Sequence, residues 1–384
     1  MQVPPAVPEN RQLYIGMMSG TSMDGIDGVL CSIDQFGQSE ILVHTSSSFS
    51  TELKTALLEL QHPIANELHL EALAANQVAK EYALIVERIL QLAQIKASAI
   101  VAIGAHGQTI RHQPKIHDQI GYSKQCLNGT LLAELTQIDV INDFRSRDIA
   151  ALGQGAPLVP AFHQMQFGDE GVVKAILNLG GIANLSLLDP QQAVLGFDTG
   201  PGNVLLDEWI DHHQELPYDH SGLWARSGQI IPQLLDHFLD EPYFQLDIPK
   251  STGRDLFNPS WLNHHLSAFD HPLLPEDIQA TLVELTVRTV SQHLFKYLPN
   301  CEELIICGGG SRNLFLLERL TIALQEYLPN LIIMTSEEKG LDPQTIEAIA
   351  FAWLAWSFVK RRPSNIPSVT GAVGPRVLGT LHPK

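Results

Sequence analysis

The chain has 384 residues, more than the roughly 250–300 at which a single hydrophobic core stops growing, so we expect two domains. Its content of 45% hydrophobic and 17% charged residues is typical of a globular protein, and its net charge of −18 argues against nucleic acid or an anionic membrane as the main partner. The four cysteines lack C-x-x-C spacing, the N-terminus lacks a signal-peptide pattern and the longest apolar stretch has 12 residues; we therefore expect a cytoplasmic protein with reduced thiols.

In the first part of the chain, apolar runs alternate with helical periodicity. The segment LYIGMMSGTSMDGIDGVLCSID (13–34) predicts a strand, a glycine-rich turn and a second strand. Residues 67–93 predict a long amphipathic helix. Further strands are predicted at 40–46, 99–107 and 138–143. Residues 143–160, rich in Gly, Pro and charge, indicate a domain boundary.

The second part of the chain repeats this plan. The segment VVKAILNLGGIANLSLLD (172–189) again predicts strand, glycine-rich turn and strand, whereas 303–320 predicts a strand that leads into a helix. Helices are predicted at 276–298 and at 343–362, where Pro343 suits a first turn, and a strand is predicted at 331–336.

Two strand–turn–strand segments in corresponding places predict a duplicated α/β architecture with a cleft between its halves. We place an N-terminal lobe at 1–150 and a C-terminal lobe at 151–362. Residues from about 363 to 384 are too rich in Pro and Gly for regular structure, and we expect them to pack back on the N-terminal lobe.

Three glycine-rich turns are candidates for anion or nucleotide binding. The turn SGTSMDGID (19–27) offers backbone N–H groups and hydroxyls to phosphate oxygens, with Asp24 or Asp27 able to hold Mg²⁺; the alternative is a hairpin turn with positive φ at Gly20 and Gly25. The turns NLGGIAN and CGGGSRN either allow close approach of a nucleotide or form a bulged hairpin and a tight strand-to-helix connection, respectively.

Two carboxylates are candidates for chemistry. Asp198 follows a short predicted strand in GFDTGPGN, where it is either a general base or a turn-forming, capping or metal-binding residue; Asn203 is better placed to cap the next helix. Glu347 interrupts an apolar helix, where it is either functional or exposed on the first turn and stabilised by the helix dipole.

Polar residues at predicted strand ends are candidates for substrate binding, because ligands of α/β sheets bind at the carboxyl ends of strands. These residues are His106, Arg145, Arg147 and Asp148, of which His106 is alternatively structural and the arginines suit an anionic group. The dipeptide Gly-Lys is absent, so a P-loop is excluded, and the G-x-G-x-x-G, G-x-S-x-G and H-E-x-x-H patterns are absent too.

Six segments in this order resemble the anhydro-N-acetylmuramic acid kinases, which are bacterial cell-wall recycling enzymes. The segments are GMMSGTSMDGIDGVL, GAHGQTIRH, NDFRSRDIAALGQGAPLVP, NLGGIANL, GFDTGPGN and CGGGSRN. The chain departs from the family pattern at Leu152, where glycine is common. The resemblance implies the two similar lobes of the actin, hexokinase and Hsp70 superfamily, of actin-like and ribonuclease H-like type, around a nucleotide cleft.

The resemblance also implies roles for the candidate residues. The catalytic residues would be Asp198, as base, and Glu347, and His106, Arg145 and Asp148 would bind substrate. The residues implied to bind ATP are Gly20, Thr21, Ser22, Met23, Asp24, Gly25, Ile26, Asp27, Gly180, Gly181, Gly308, Gly309, Gly310 and Asn313. No metal ligand is assigned, although Mg²⁺ is implied as a cofactor.

The implied reaction opens the 1,6-anhydro ring of anhydro-N-acetylmuramic acid with water and phosphorylates O6 with ATP, as a step of peptidoglycan recycling. A homodimer is implied as well. The alternatives are a kinase of the same superfamily that acts on a free hexose, and a nucleotide-driven interaction protein of the actin or Hsp70 type.

Overall fold

A computed structural model describes residues 10–20 and 25–384. The chain divides into two compact units. The first unit combines the residues up to Phe167 with Thr345–Lys384, and the second consists of Gly168–Gln344.

Thirteen strands lie within the described residues. They are β1 (Arg11–Met18), β2 (Gly25–Asp34), β3 (Ser39–Ser48), β4 (Ile100–Ala105), β5 (Gln108–Pro114), β6 (Gly121–Cys126), β7 (Val140–Asn142), β8 (Lys174–Leu179), β9 (Ile182–Leu188), β10 (Leu195–Pro201), β11 (Glu303–Cys307), β12 (Ile332–Thr335) and β13 (Thr380–His382).

The same residues contain thirteen α-helices. They are α1 (Thr51–Glu59), α2 (Glu67–Ala93), α3 (Gly129–Thr136), α4 (Ser146–Ile149), α5 (Val159–Phe167), α6 (Val204–Gln214), α7 (Leu223–Ser227), α8 (Pro232–Leu239), α9 (Pro259–Leu266), α10 (Pro275–Tyr297), α11 (Leu314–Gln325), α12 (Ile346–Val359) and α13 (Pro367–Thr370). Short 3₁₀ helices lie at Ala97–Ala99, His220–Gly222, Pro242–Gln245, Gly309–Arg312 and Ser336–Lys339.

The two units contain sheets of the same topology. In the first, the strand order is β13-β7-β4-β1-β2-β3: β1, β2 and β3 are antiparallel neighbours, and β4 and β7 continue parallel to β1. In the second, the order is β10-β9-β8-β11-β12: β8, β9 and β10 are antiparallel neighbours, and β11 and β12 continue parallel to β8. The predicted duplicated α/β architecture is therefore confirmed.

Helix α12 belongs to the first unit, although the sequence division placed it in the C-terminal lobe. Gly16 of β1 and Gly104 of β4 let its backbone approach the sheet: a Cβ atom on either would lie 1.9 Å from the carbonyl oxygen of Ala348 or Phe351, respectively. The predicted boundaries at residues 150 and 362 therefore differ from the observed division, because α12 covers the first sheet and α5 contacts α12. Pro343 precedes the helix, which begins at Ile346.

The C-terminal segment ends as a strand of the first sheet. Strand β13 pairs antiparallel with β7, in the register Leu381 to Ile141. On the way to this strand, the backbone N–H of Val373 donates to the carbonyl oxygen of Ala151. The predicted irregular return segment thus includes a short edge strand.

Each unit has its own hydrophobic core. Helix α2 has the bounds that its periodicity predicts, and it buries one face, including Val78, Tyr82 and Ile89, against the first sheet. In the second unit, α10 is buried around most of its circumference between the sheet and its neighbouring helices. None of the helices in the described residues is long and apolar enough to cross a membrane.

Candidate active site

The ends of the first glycine-rich turn are anchored by buried side chains. The hydroxyl of Ser19, which is 1% exposed, donates to the carbonyl oxygen of Gly107 at 3.0 Å and hydrogen-bonds to the Tyr82 hydroxyl at 2.9 Å. The amide of Gln108 donates to the carbonyl oxygen of Gly20 at 3.0 Å. The predicted ATP-binding residues Thr21, Ser22, Met23 and Asp24 lie outside the described residues.

On the far side of this turn, strand β2 begins with three of the predicted residues. A Cβ on Gly25 would lie 2.2 Å from the Ser47 carbonyl oxygen, and the backbone of Gly25 does not have positive φ. Glycine is therefore needed here for close pairing with β3, and the positive φ that the alternative, a simple hairpin turn, requires at Gly25 is not found. Ile26 points into the core, whereas the Asp27 carboxylate stays accessible and lies 3.1 Å from Nε2 of His44.

His106 and Arg145 meet at the carboxyl ends of β4 and β7 in the first unit. The guanidinium of Arg145 donates to Nε2 of His106 from Nε at 3.2 Å and from Nη2 at 2.9 Å, and its Nη1 donates to the Gly155 carbonyl oxygen at 2.8 Å. Burial and the charge of Arg145 hold the pKa of His106 well below its usual range. The imidazole is therefore neutral, and it accepts a hydrogen bond at Nε2.

The charges around Arg145 come from two carboxylates. Burial lowers the pKa of Arg145 to about 10, while the charges of Glu347 and Asp148 act in the opposite direction. Glu347 is half-buried in the first turn of α12. Arg147, by contrast, is exposed and does not accompany Arg145. The first unit therefore brings His106, Arg145 and Glu347 together.

Asp148 is 0% exposed, and protein groups engage its carboxylate. The Gly155 N–H donates to Oδ2 at 2.8 Å, and the Asn365 amide and the Thr370 hydroxyl donate to Oδ1 at 2.6 Å and 2.8 Å. This carboxylate holds the C-terminal segment to the loop that follows α4. Its predicted contact with substrate stays a prediction.

Asp198 lies within β10, not after it as predicted. The pairing of β10 with β9 shifts between Asp198 and Gly200, so that Thr199 is left over as a bulge residue. The Asp198 side chain keeps part of its surface accessible, and the Thr252 N–H donates to its Oδ2 at 3.0 Å. Burial raises the pKa of Asp198 to about 7, against the lowering effects of the Thr252 N–H and the charge of Lys250. A carboxyl with such a pKa can exchange a proton near neutral pH.

The glycines of the second unit fall into two groups. A Cβ on Gly308, which has φ of +81°, would lie 2.4 Å from Oδ1 of Asn178, and one on Gly310 would lie 2.7 Å from Cβ of Leu179. Those two glycines serve close packing of the turns. A Cβ on Gly180, Gly181 or Gly309 would meet no protein atom closer than 3.6 Å. The fold itself therefore does not require glycine at these three positions, and space for a ligand is a sufficient reason for it.

Two asparagines connect the glycine turns to helices. Asn313 caps α11, since its side chain accepts from the Leu316 N–H at 3.0 Å. Asn203 occupies the cap position of α6, as predicted, but its side chain makes no capping hydrogen bond and donates to the Leu179 carbonyl oxygen at 3.1 Å. The backbone N–H groups of Gly202 and Asn203 donate to the carbonyl oxygens of Gly181 and Gly180. The end of β10 is thereby fixed against the Gly180–Gly181 turn.

Comparison with known proteins decides between the families that this geometry allows. Residues 12–384 match the family described as anhydro-N-acetylmuramic acid kinase. The chain belongs to this family. A protein named anhydro-N-acetylmuramic acid kinase from Cupriavidus metallidurans is 48% identical over 99% of this chain and 100% of its own length. A protein of the same name from Ralstonia nicotianae is 49% identical over 96% of this chain and 97% of its own length. Another, from Burkholderia orbicola, is 47% identical over 100% of this chain and 99% of its own length.

Solved structures give weaker likenesses than these kinase sequences do. An activator of 2-hydroxyisocaproyl-CoA dehydratase from Clostridium difficile has a TM-score of 0.45 at 14% identity, over 91% of this chain and 96% of its own. A ROK hexokinase from Thermus thermophilus has a TM-score of 0.38 at 13% identity, over 90% and 99%. With TM-scores under 0.5, neither likeness bears on the fold or on the reaction of this kinase.

Sequence reasoning about the kinase missed the segment that holds Asp198. Tyr243, Lys250 and Thr252 all contact this residue or its peptide groups. The sequence around Lys250, IPKSTGRD, reads as an irregular loop, and the only available indication was a lysine amid turn-forming residues. Backbone contacts across some 50 residues leave no periodic pattern that could have identified it.

The described residues of the kinase contain no group of three or more His, Cys, Asp or Glu side chains suited to a metal ion. Mg²⁺ in phosphoryl-transfer sites is commonly held by one or two carboxylates together with substrate phosphates and water. Asp27, an accessible carboxylate at the start of β2, is an oxygen donor of this kind. One carboxylate of this kind fits a Mg²⁺ ion whose other ligands are nucleotide phosphates and water.

Proposed function

We propose that this kinase converts 1,6-anhydro-N-acetylmuramic acid, ATP and water into N-acetylmuramate 6-phosphate and ADP, as a step of peptidoglycan recycling. The observation that carries the proposal is membership of the family over residues 12–384. The arrangement of Asp198 supports the hydrolytic part of the reaction. A homodimer and a cytoplasmic location stay predictions.

Asp198 acts as the general base for water. A carboxylate with a pKa of about 7 is ionised in a large fraction of molecules near neutral pH and still has a high affinity for a proton. Water transfers a proton to Asp198 while its oxygen forms a bond to the anomeric carbon, and the bond from that carbon to O6 breaks. The O6 atom then bonds to the γ-phosphorus of ATP, and ADP leaves.

The glycine turns supply the nucleotide site. No protein atom packs closely against the Cβ positions of Gly180, Gly181 and Gly309, and N–H groups at such turns stabilise phosphate oxygens. Asp27 would hold Mg²⁺, which neutralises charge on the β- and γ-phosphates when it is bound. Asn313, at the start of α11, would border the nucleoside.

The group formed by His106, Arg145 and Glu347 in the first unit binds the sugar. His106 is neutral and is held by Arg145, so its ring has a fixed orientation toward a hydroxyl or amide group. Glu347 is the second active-site carboxylate. Its negative charge stabilises the charged form of Arg145, and its role is to orient the sugar rather than to transfer a proton.

Product analysis in ¹⁸O-water tests this function. With anhydro-N-acetylmuramic acid and ATP, we expect one ¹⁸O atom at the anomeric carbon of the 6-phosphate product and none in its phosphate. Phosphorylation of a free hexose at a comparable rate would favour the alternative sugar kinase. ATP turnover that is independent of any sugar would favour the interaction protein.

A further inference from the structure

One short segment of the second unit holds Asp198 from three directions. The Tyr243 hydroxyl donates to the Asp198 carbonyl oxygen at 2.8 Å, and the Asp198 N–H donates to the Lys250 carbonyl oxygen at 3.1 Å. The Thr252 N–H donates to Oδ2 of the side chain at 3.0 Å. Both peptide groups and one carboxylate oxygen of Asp198 are thus fixed by residues 243–252.

The side chain of Lys250 closes this segment on itself. Its ammonium donates to the carbonyl oxygens of Tyr243 at 3.1 Å and Phe244 at 3.3 Å, and it lies 4.6 Å from the centre of the Tyr243 ring. Lys250 is 5% exposed. These contacts fix the Tyr243 hydroxyl relative to the Thr252 N–H. We call residues 243–252, with their three hydrogen bonds to Asp198, the Asp198 clamp, and its geometry depends on Lys250.

A buried ammonium bonded to carbonyl oxygens is expensive, because neither hydrogen bond supplies a compensating negative charge. Such a charge is retained more readily where a nearby carboxylate benefits from it. Asp198 is the carboxylate that this segment grips. The charge of Lys250 therefore acts on Asp198, in addition to holding the loop together through its hydrogen bonds.

We infer that Lys250 is a positioning residue for Asp198: its buried ammonium ties residues 243–252 into the clamp that orients the Asp198 carboxylate, and its positive charge favours the ionised form of that carboxylate. The inference rests on the proposed role of Asp198 as the base. It adds that a lysine which does not contact the reacting atoms contributes to the orientation and the proton affinity of the base.

The groups that act on Lys250 and Asp198 are known from the structure. Burial and the charge of Lys296 lower the pKa of Lys250 to about 8, against the charges of Asp198 and Asp247. Burial and, to a smaller extent, the charge of Lys250 lower the pKa of His293, and burial raises the pKa of Tyr243. Neutral His293 and neutral Tyr243 add no charge near pH 7, which leaves Lys250 as the cation that lowers the pKa of Asp198.

The test is a titration of Asp198 by NMR in protein labelled with ¹³C at the aspartate carboxyl, with the resonance assigned by its absence in Asp198→Asn. In Lys250→Met we expect the Asp198 pKa to rise by about 0.5–1 unit. The acid limb of kcat/KM should move by the same amount, so that the rate falls about 2.5–6-fold more at pH 6.5 than at pH 8.5. The control Lys296→Met removes an exposed lysine near the same segment and should leave both values within about 0.2 unit.

The reverse measurement keeps the inference testable if Lys250→Met fails to fold. Because coupling between two titrating groups is reciprocal, Asp198→Asn should lower the pKa of Lys250, followed at its ¹³Cε resonance, by as much as Lys250 lowers that of Asp198. An unshifted Asp198 carboxyl in Lys250→Met, or an unshifted Lys250 in Asp198→Asn, would overturn the inference. Full activity of Asp198→Asn would instead overturn the proposed base, and the NMR coupling would be unaffected by that result.

Discussion

The side-chain amide of Asn365 donates a hydrogen bond of 2.6 Å to the buried carboxylate of Asp148, 217 residues earlier in the chain. The side-chain oxygen of Asn365, Oδ1, accepts from the Arg376 N–H, also at 2.6 Å. One side chain therefore connects the C-terminal segment to the loop after α4 and to its own later residues.

This relationship predicts the effect of Asn365→Ala. The substitution leaves a fully buried carboxylate without one of its donors, and such a loss costs about 1–3 kcal/mol. We expect the free energy of unfolding of the first unit to fall by that amount in urea denaturation. The control is Asn330→Ala at an exposed position, which should stay within about 0.5 kcal/mol of wild type. Equal stability of the two variants would contradict the structural role of Asn365.

The second prediction concerns the proposed base. Asp198→Asn keeps the shape of the side chain and can still accept from the Thr252 N–H, but it cannot take a proton. We expect kcat to fall about 10²-fold or more, with little change in the binding of ATP or sugar. Steady-state kinetics and calorimetric titration measure the two effects. Asp211→Asn, on an exposed face of α6, is the matched control and should retain wild-type kcat.

The pH dependence of kcat/KM follows from the same residue. Burial raises the pKa of Asp198 to about 7, and only the ionised carboxylate accepts a proton from water. The rate should therefore rise with pH through about 7 and level off above it. Protonation of His106 does not interfere in this range, because its pKa lies well below its usual value. A rate that is constant between pH 6 and pH 8 would contradict this assignment.

Gly309 and Gly310 are neighbours, but only Gly310 is closely packed against other protein atoms. Substituting each in turn therefore distinguishes an effect on ATP binding from an effect on folding. At Gly309 a Cβ meets only Nδ2 of Asn203, at 4.0 Å, whereas at Gly310 it would lie 2.7 Å from Cβ of Leu179. We expect Gly309→Ala to keep the melting temperature of wild type and to raise the KM for ATP about 10-fold, the effect of some 1.4 kcal/mol of lost binding. Gly310→Ala should lower the melting temperature. Unchanged ATP kinetics in Gly309→Ala would remove this turn from the nucleotide site.

Leu152 offers a stabilising substitution. Its backbone has φ of +65° and its side chain is 41% exposed, so the strain of the left-handed conformation is offset by little packing. Leu152→Gly should raise the free energy of unfolding by about 0.5–1 kcal/mol, after the greater entropy of unfolded glycine is subtracted. Leu152→Ala retains the strained Cβ and should give no such gain. A destabilised glycine variant would show that the leucine side chain contributes more than its exposure suggests.

The sequence predicts those features that local patterns encode. The bounds of α2 follow from its periodicity, and the β1–β2 and β8–β9 hairpins follow from apolar runs around glycine turns. Helix α12 shows the limit of such reasoning. It is apolar on nearly all sides, so its burial was predictable, but the pattern does not identify which sheet it covers.

The candidate site shows the same division. Asp198 was recognised from its glycine-rich surroundings, yet its position inside β10 depends on a bulge that the sequence does not reveal. Asp148 and Arg147 looked alike as polar residues after a strand, but one is buried against the C-terminal segment and the other is exposed. Lys250 contacts backbone carbonyls of a loop, and such contacts carry no sequence pattern.

The discontinuity of the first unit has a consequence for synthesis of the chain. Residues 168–344 form the second unit without interruption, whereas the first sheet lacks both its covering helix α12 and its edge strand β13 until the last 40 residues are made. On a ribosome, where domains form as their residues emerge, the later unit has all its residues before the earlier one does. A nascent chain halted near residue 344 would therefore expose the apolar surface around Gly16 and Gly104, which makes this the stage of synthesis most dependent on chaperones.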